Sequence, residues 1–403
     1  MPVLDPVSLD ALVAPRLEGL VALRRDLHAH PELGRREVRT TRVVAEHLAA
    51  AGVPSRVLRG GTGLVADVGP PGAPALGLRA DLDALPVQDQ KTAPYRSTVD
   101  GVCHACGHDV HTAVLAGAGT VLAGLAAQGR LAAPVRLFFQ PAEELVPGGA
   151  LDLLEEGVVD DVPEVLALHC DPRLPAGQLG VRTGAITGAS DQFSVRLAGP
   201  GGHTARPHLT GDLVHALATV VTQLPAVLSR RVDPRAGLSV VWGHVAAGAA
   251  PNAIPEHGLA RGTLRTLDVG VWEDAPELVA EVVHALVAPY GVRAEVEHVR
   301  GVPPVVNAPE SVRLLERAGR AALGPEAVVE TEQSLGGEDF AWFLRRTAGA
   351  MARLGVARPD ATGSHDLHQG TFDVDERALG AGTRLLVAAA LLRAGAGTPA
   401  GPR

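Results

Sequence analysis

Cysteine, histidine and glutamate recur in this chain at spacings that suit a metal ion. Cys106 and His108 stand two apart in Gly101-Val-Cys-His-Ala-Cys-Gly-His-Asp-Val-His111. The adjacent acids Glu143 and Glu144 follow an apolar stretch, and His169 and His368 each close a further short apolar segment. Thiolate, imidazole and carboxylate together make a donor set for a borderline-soft divalent ion. The paired glutamates add the chemistry, because in a two-metal hydrolase one carboxylate holds an ion while its neighbour handles the proton of the attacking water. These sequence-distant positions, each at the end of a strand-like segment, imply one site assembled by the fold. The reading is a metal-dependent hydrolase.

Other readings of the same residues account for less. An isolated Cys-x-His also describes a buried thiol beside a surface imidazole, and 16 histidines in 403 residues make some clustering expected. Cys103 and Cys106 form a Cys-x-x-Cys, but a zinc ribbon needs a second such pair, and the only other cysteine is Cys170. A base deaminase needs His-x-Glu ahead of Pro-Cys-x-x-Cys, and Val102 stands where that proline must precede Cys103. A catalytically silent scaffold that binds metal or a metabolite would have no use for an intact Glu143-Glu144 pair.

The elements that must hold these residues follow from hydrophobic patterning. The stretch 8–51 reads as two helices flanking Leu27-His-Ala-His-Pro-Glu-Leu33. Strands are expected at 63–68, 75–80, 134–139 and 165–168, alternating with an apolar helix at 110–127 capped by Asp109 and a shorter helix at 149–156. Such alternation gives an α/β fold, a mostly parallel sheet covered by helices, with Asp81, Glu143 and His169 just past the carboxyl ends of strands, where open sheets bind ligands. Beyond Gly184-Ala-Ile-Thr-Gly188 the pattern becomes β-α-β-β-α-β, the ferredoxin-like order. The α/β pattern resumes after Pro303-Pro304 through 310–323, 327–330, 338–345 and 351–355, with a last helix from about Val374. The expected domains are therefore a catalytic domain at 1–186 and 304–403, interrupted by a ferredoxin-like α+β lid and dimerisation domain at 187–303.

Composition narrows the partners. The chain is 46% hydrophobic but 3% aromatic, so its core is built from Ala, Val and Leu. A net charge of −9 argues against nucleic acid and acidic membranes. Lys91 is the only lysine, and the arginines mark no basic patch. No uninterrupted apolar run of the roughly 18–20 residues of a membrane span is present. The acidic start lacks a secretion signal, and three cysteines make no disulfide framework, so a cytoplasmic location is expected.

Taken together the motifs resemble the aminoacylase/carboxypeptidase-type metallopeptidase family, and within it the hippurate and auxin-conjugate hydrolases. The carriers are Leu23-Arg-Arg-Asp-Leu-His-Ala-His-Pro-Glu-Leu33, Arg79-Ala-Asp-Leu-Asp-Ala-Leu-Pro86, His104-Ala-Cys-Gly-His-Asp109, Phe139-Gln-Pro-Ala-Glu-Glu144, Gly201-Gly-His-Thr-Ala-Arg-Pro207, Asn252-Ala-Ile-Pro255, Gly262-Thr-Leu-Arg-Thr266 and Gly336-Gly-Glu-Asp-Phe340. The resemblance implies two divalent ions, zinc or manganese, with cobalt or nickel as alternatives. It makes Cys106 the bridging ligand, with His108, Glu144, His169 and His368 completing the shells, and Glu143 the general base. His203 and Asn252, on the lid, would hold the reacting carbonyl. The implied substrate is a small N-acyl amino acid, with a dipeptide or N-acetyl-diaminopimelate as alternatives, and the implied assembly is a homodimer through the lid. Cys103, Thr204, Cys170 and Gln369-Gly-Thr371 depart from the usual residues, and none of them removes a ligand.

Neighbouring residues complete the expectations. Asp81 and Asp109 are candidates to orient ligand imidazoles, although Asp109 also suits a helix cap. Arg265 can grip a substrate carboxylate bidentately or form an inter-strand ion pair. His28, His30, His104 and His111 are read as bracing the metal loops.

Overall fold

In the computed structural model, residues 5–358 and 365–394 are described. The chain divides into two compact units. The first comprises Met1–Ile186, Val306–Glu332 and Asp339–Arg403, and the second Thr187–Val305 with Gln333–Glu338.

The first unit is built on an eight-stranded sheet. Its order is Ser55–Val57, Leu64–Val68, Val135–Gln140, Leu76–Asp81, Glu164–Pro175, Ala348–Ala357, Leu179–Val181 and Val328–Glu330. The central strands run parallel: Leu76–Asp81 pairs with Val135–Gln140 and with Glu164–Pro175, which pairs in turn with Ala348–Ala357. Antiparallel pairings join Leu64–Val68 to Ser55–Val57 and to Val135–Gln140, and Leu179–Val181 to Ala348–Ala357. The central strands are buried along nearly their whole length, as parallel strands covered on both faces must be. Helix His108–Ala127 is apolar on every side and accordingly lies in the core, packed on Leu76–Asp81 and on the helices Leu17–Ala29 and Arg377–Ala394.

Several elements differ from expectation for local reasons. Three helices fill the opening stretch, Pro6–Val13, Leu17–Ala29 and Val38–Ala50, because the chain turns through a short 3-10 segment at Ala14–Arg16 that contains Pro15. Strand Glu164–Pro175 runs well past 168, since Ala348–Ala357 pairs with it along that length, and His169 therefore sits inside a strand. Within the segment 338–345 the regular element is the short helix Ala341–Leu344. Asp339 lies outside it, its carboxylate spent on Arg79, on the Gln140 amide and on the Ala150 N–H.

The second unit has the ferredoxin-like topology. Ser190–Ala198, Leu213–Arg231, Ser239–Ala247, His257–Arg265, Val269–Val287 and Arg293–Val302 alternate as β-α-β-β-α-β. The antiparallel sheet runs Ser239–Ala247, His257–Arg265, Ser190–Ala198, Arg293–Val302. Its helices cover one face, where Phe193, Val195, Ala260 and Leu264 meet Leu217, Val220, Val279 and Val283 in a separate core.

By length and composition, His108–Ala127 and Leu213–Arg231 match a membrane span, which corrects the sequence reading. The first is the core helix, 72% of its apolar window buried, and the second packs its apolar side on the sheet of its own unit.

One buried cation ties the strand ends of the first unit together. Arg79 donates to Gln140 Oε1 at 2.9 Å, Asp81 Oδ2 at 2.7 Å and Asp339 Oδ1 at 2.8 Å. Arg79→Met would leave two buried carboxylates without their cation, a loss of about 3–5 kcal/mol. Urea denaturation of the metal-free protein checks this, and a loss below about 1 kcal/mol would mean that the cluster carries little of the fold's stability.

Candidate metal centre

Cys106 and His108 reach one place because the chain turns through Gly107. That glycine has φ 85° and precedes helix His108–Ala127, and a Cβ on it would lie 2.8 Å from Cys170 Sγ. The helix starts at His108, so Asp109 falls in its first turn and is not its cap, a correction to the expected start at 110. His108 and His111 then share one helical face.

The expected ligands of the first unit come together. Cys106, His108 and Glu144 offer donor atoms within 4.8 Å of one another. His169 Nε2 lies 3.5 Å from Cys106 Sγ, while its Nδ1 donates to the Cys170 carbonyl at 2.8 Å, which leaves the Nε2 lone pair facing the thiol. His368 arrives from the other end of the chain. Its N–H donates to the Ala105 carbonyl at 2.8 Å, its φ is 64°, and its Nε2 stands 3.3 Å from Glu144 Oε1. His108 Nε2 is 3.8 Å from both Glu143 Oε2 and Glu144 Oε1.

Carboxylates behind the cluster fix its geometry, and they are not quite those expected. Asp81 accepts from His111 Nδ1 at 2.6 Å and from Arg79, whereas His108 Nδ1 lies 3.8 Å away. His111 Nε2 accepts the Cys170 N–H at 2.8 Å, so both its ring nitrogens are engaged within the protein. Asp109 accepts from His28 Nδ1 and Arg24 Nε, both at 2.7 Å, and therefore orients a bracing histidine and no ligand. The carboxylate nearest the His108 ring is Asp83, 3.3 Å from Nδ1. Asp83 also accepts the Glu143 and Glu144 N–H groups, one on each oxygen, both at 3.0 Å. Sequence reasoning missed this residue. Its signal was the Asp-Leu-Asp spacing at 81–83, since residues two apart in extended chain share a face.

The turn bearing Glu143 and Glu144 is unusual. Ala142 just before them has φ 53°, a left-handed conformation that costs a non-glycine residue roughly 1–2 kcal/mol. Its N–H is accepted by Glu37 Oε1 at 2.7 Å.

The charge balance of the cluster favours a cation. Burial alone would lower the His108 pKa, but Asp81, Cys106 and Asp83 outweigh it and hold the imidazole well above its ordinary value. Cys106 and Glu144 raise His368 to about 10, and burial pushes the Cys106 thiol up. His169 is lowered by burial, by Arg353 and by His111, which keeps it neutral. His108 Nε2 and Glu144 Oε1 are buried with no hydrogen-bond partner among the described residues. Each such orphan costs about 1–3 kcal/mol, a debt that coordination removes. These residues fit a divalent metal.

The second unit carries the remaining candidates. His203 and Asn252 are exposed on a short two-stranded ribbon, in which Gly202–His203 pairs with Ala253–Ile254 and the Thr204 N–H donates to the Asn252 carbonyl. His203 Nδ1 accepts the Ala205 N–H at 3.0 Å, so the proton of the neutral ring is left on Nε2, which can donate outward. Arg265 donates to the Leu335 carbonyl, and among the described residues it makes no inter-strand ion pair.

Comparison with known proteins agrees with this chemistry. The profile described as peptidase family M20/M25/M40 matches residues 77–392. A Rhodococcus jostii protein that carries a glutamate–cysteine ligase name is 51% identical over 92% of this chain, which spans only 46% of that protein. An N-acyl-L-amino acid amidohydrolase of Geobacillus stearothermophilus is 36% identical over 76% of this chain and 85% of its own length. A Bacillus subtilis crystal structure described as a dinuclear metal binding peptidase from the M20 family superposes with TM-score 0.81 at 32% identity, covering 94% of this chain and 98% of that one.

Protonation of the ion-free cluster makes a calorimetric prediction. At pH 7 His108, His368 and Cys106 hold protons that ligation must displace, so zinc uptake by chelator-treated protein should release protons, and affinity should rise with pH. Titration calorimetry in buffers of different ionisation enthalpy measures this, and a buffer-independent enthalpy would contradict it.

Proposed function

The chain belongs to peptidase family M20/M25/M40, and we propose that it hydrolyses the amide bond of N-acyl amino acids, acetyl, benzoyl or similar, to a carboxylic acid and a free amino acid. The observation that carries this reading is the Glu143-Glu144 pair beside His108, with Glu144 among the ligand donors and Glu143 next to them. The name of the Rhodococcus protein is not carried across, because this chain spans less than half of it.

In this proposal Cys106, His108, Glu144, His169 and His368 would hold two divalent ions. The donor set admits Zn²⁺ or Mn²⁺ first, with Co²⁺ or Ni²⁺ also compatible. When bound, such ions supply Lewis-acid polarisation of the scissile carbonyl and acidify a water. The rest falls to the side chains. Glu143 takes the proton of the attacking water and gives it to the leaving nitrogen as the C–N bond breaks. Asp83 keeps the turn of Glu143 and Glu144 against His108 by holding both their amides. His203, with its proton on Nε2, and Asn252 would donate to the carbonyl oxygen as it gains charge.

The assembly proposed is a two-fold dimer through the second unit, whose outer strands Ser239–Ala247 and Arg293–Val302 each have one side unpaired among the described residues. In such a dimer His203 would serve the ion site of the other subunit.

Two experiments test the reading. Glu143→Gln should keep the metal content yet lose at least ~10²-fold in turnover of acetyl- and benzoyl-amino acids, whereas Glu144→Gln should lose metal. Swapped phenotypes would reverse the two roles. Separately inactive Glu143→Gln and His203→Ala homodimers, once mixed and exchanged, should regain activity, because a hybrid pairs one doubly defective site with one intact site. Demonstrated exchange without recovery would put His203 in its own subunit's site or in none.

A further inference from the structure

Glu37 is a fully buried acid that the proposed chemistry leaves unused, and it touches the turn on which that chemistry depends. It stands immediately before helix Val38–Ala50 but makes no capping hydrogen bond with its side chain. A short polar residue in that place would ordinarily accept an amide of its own helix. Glu37 instead reaches across the chain, and its Oε1 accepts the Ala142 N–H at 2.7 Å. Its Oε2 has no hydrogen-bond partner among the described residues.

Ala142 is where the chain needs an anchor. A left-handed alanine persists only where its surroundings over-determine it. Here the N–H goes to Glu37, and the carbonyl accepts the Gly149 N–H at 2.9 Å. The next two amides go to the two oxygens of Asp83. Successive N–H groups ending on buried acceptors fix the backbone that carries Glu143 and Glu144, whose carboxylates each stand 3.8 Å from His108 Nε2.

We propose that Glu37 is a positioning residue which, by accepting the Ala142 amide, locks the left-handed turn that aims Glu143 and Glu144 at the metal cluster. The inference rests on the assignment of Glu143 as base and Glu144 as ligand. It adds a residue distant in sequence that touches neither ion nor substrate. Burial raises the Glu37 carboxyl to about 7, which agrees with an uncharged acceptor and with its replacement by glutamine.

The test compares Glu37→Ala, Glu37→Gln and Glu37→Asp with the unaltered protein. In the metal-free state, hydrogen exchange of the 142–144 amides should quicken at least tenfold in Glu37→Ala and stay within threefold of the parent in Glu37→Gln. In the metal-loaded enzyme kcat should fall at least tenfold in Glu37→Ala with KM within threefold, and Glu37→Gln should recover it. Unchanged exchange in Glu37→Ala, Glu37→Gln as fast-exchanging as Glu37→Ala, or faster exchange with undiminished kcat each overturns the proposal. If Glu37→Ala does not fold, Glu37→Asp takes its place, being one methylene too short to reach the Ala142 amide. Its 142–144 amides should exchange at least tenfold faster than those of Glu37→Gln, and equal rates overturn the proposal. If the parent turns over no N-acyl amino acid, the functional reading fails by itself. Zinc affinity then decides the present point: at least tenfold weaker binding in the loosened variant is expected, and unchanged affinity overturns it.

Discussion

Three consecutive backbone amides, those of Ala142, Glu143 and Glu144, are accepted by two buried carboxylates, and the placement of the whole metal cluster depends on that arrangement. Asp83 is its pivot. It is 1% exposed, it accepts two amides, one on each oxygen, and its Oδ1 lies 3.3 Å from His108 Nδ1. A turn at 141–144 and a helix starting at His108 are thereby referenced to one side chain at the exit of strand Leu76–Asp81. Buried polar networks of this kind specify geometry when every member is satisfied and are costly when one is lost. The atoms left over, His108 Nε2 and Glu144 Oε1, face the place where cations fit.

The same economy runs through the scaffold. Arg79 neutralises Asp81 and Asp339 at the strand ends, while Arg24 and His28 occupy Asp109 on the far side of the helix start. Protein cations thus compensate the carboxylates behind the site, and the imidazoles of His108, His169 and His368 stand beside the Cys106 thiol or the Glu144 carboxylate. A cluster in which His108 and His368 are held protonated by its acids is one in which metal ions can take the place of protons.

Much of this was legible in the sequence, and the limits have physical causes. The ferredoxin-like order was readable because its strands and helices each keep one apolar face, so period and order survive without tertiary information. Cys106, His108, Glu144, His169 and His368 could be singled out as candidates because ligand chemistry restricts residue types, and the fold brings these side chains together. Asp83 was not, because Asp81 and Asp83 look alike in sequence. Only the fold decides that Asp81 meets His111 while Asp83 meets His108. Asp109 suggested a cap by type, but the left-handed Gly107 starts the helix two residues earlier, and that carboxylate meets Arg24 and His28. Glu37 lies 105 residues from the amide it accepts, a contact that no local pattern encodes. The assignment of Gln333–Glu338 to the second unit is likewise a tertiary fact, seen in the Arg265 hydrogen bond to Leu335 and in the bridge between Thr187 and Ser334.

The claim on which the account turns is that one thiolate-centred cluster holds two ions. Anomalous diffraction from crystals grown with zinc, recorded on both sides of the absorption edge, addresses it directly. The account predicts two peaks roughly 3.5–4 Å apart, each about 2.3 Å from Cys106 Sγ, the length of a zinc–sulfur bond. One would lie beside His108 and the other within reach of His368. A single peak, or peaks away from Cys106, would contradict it.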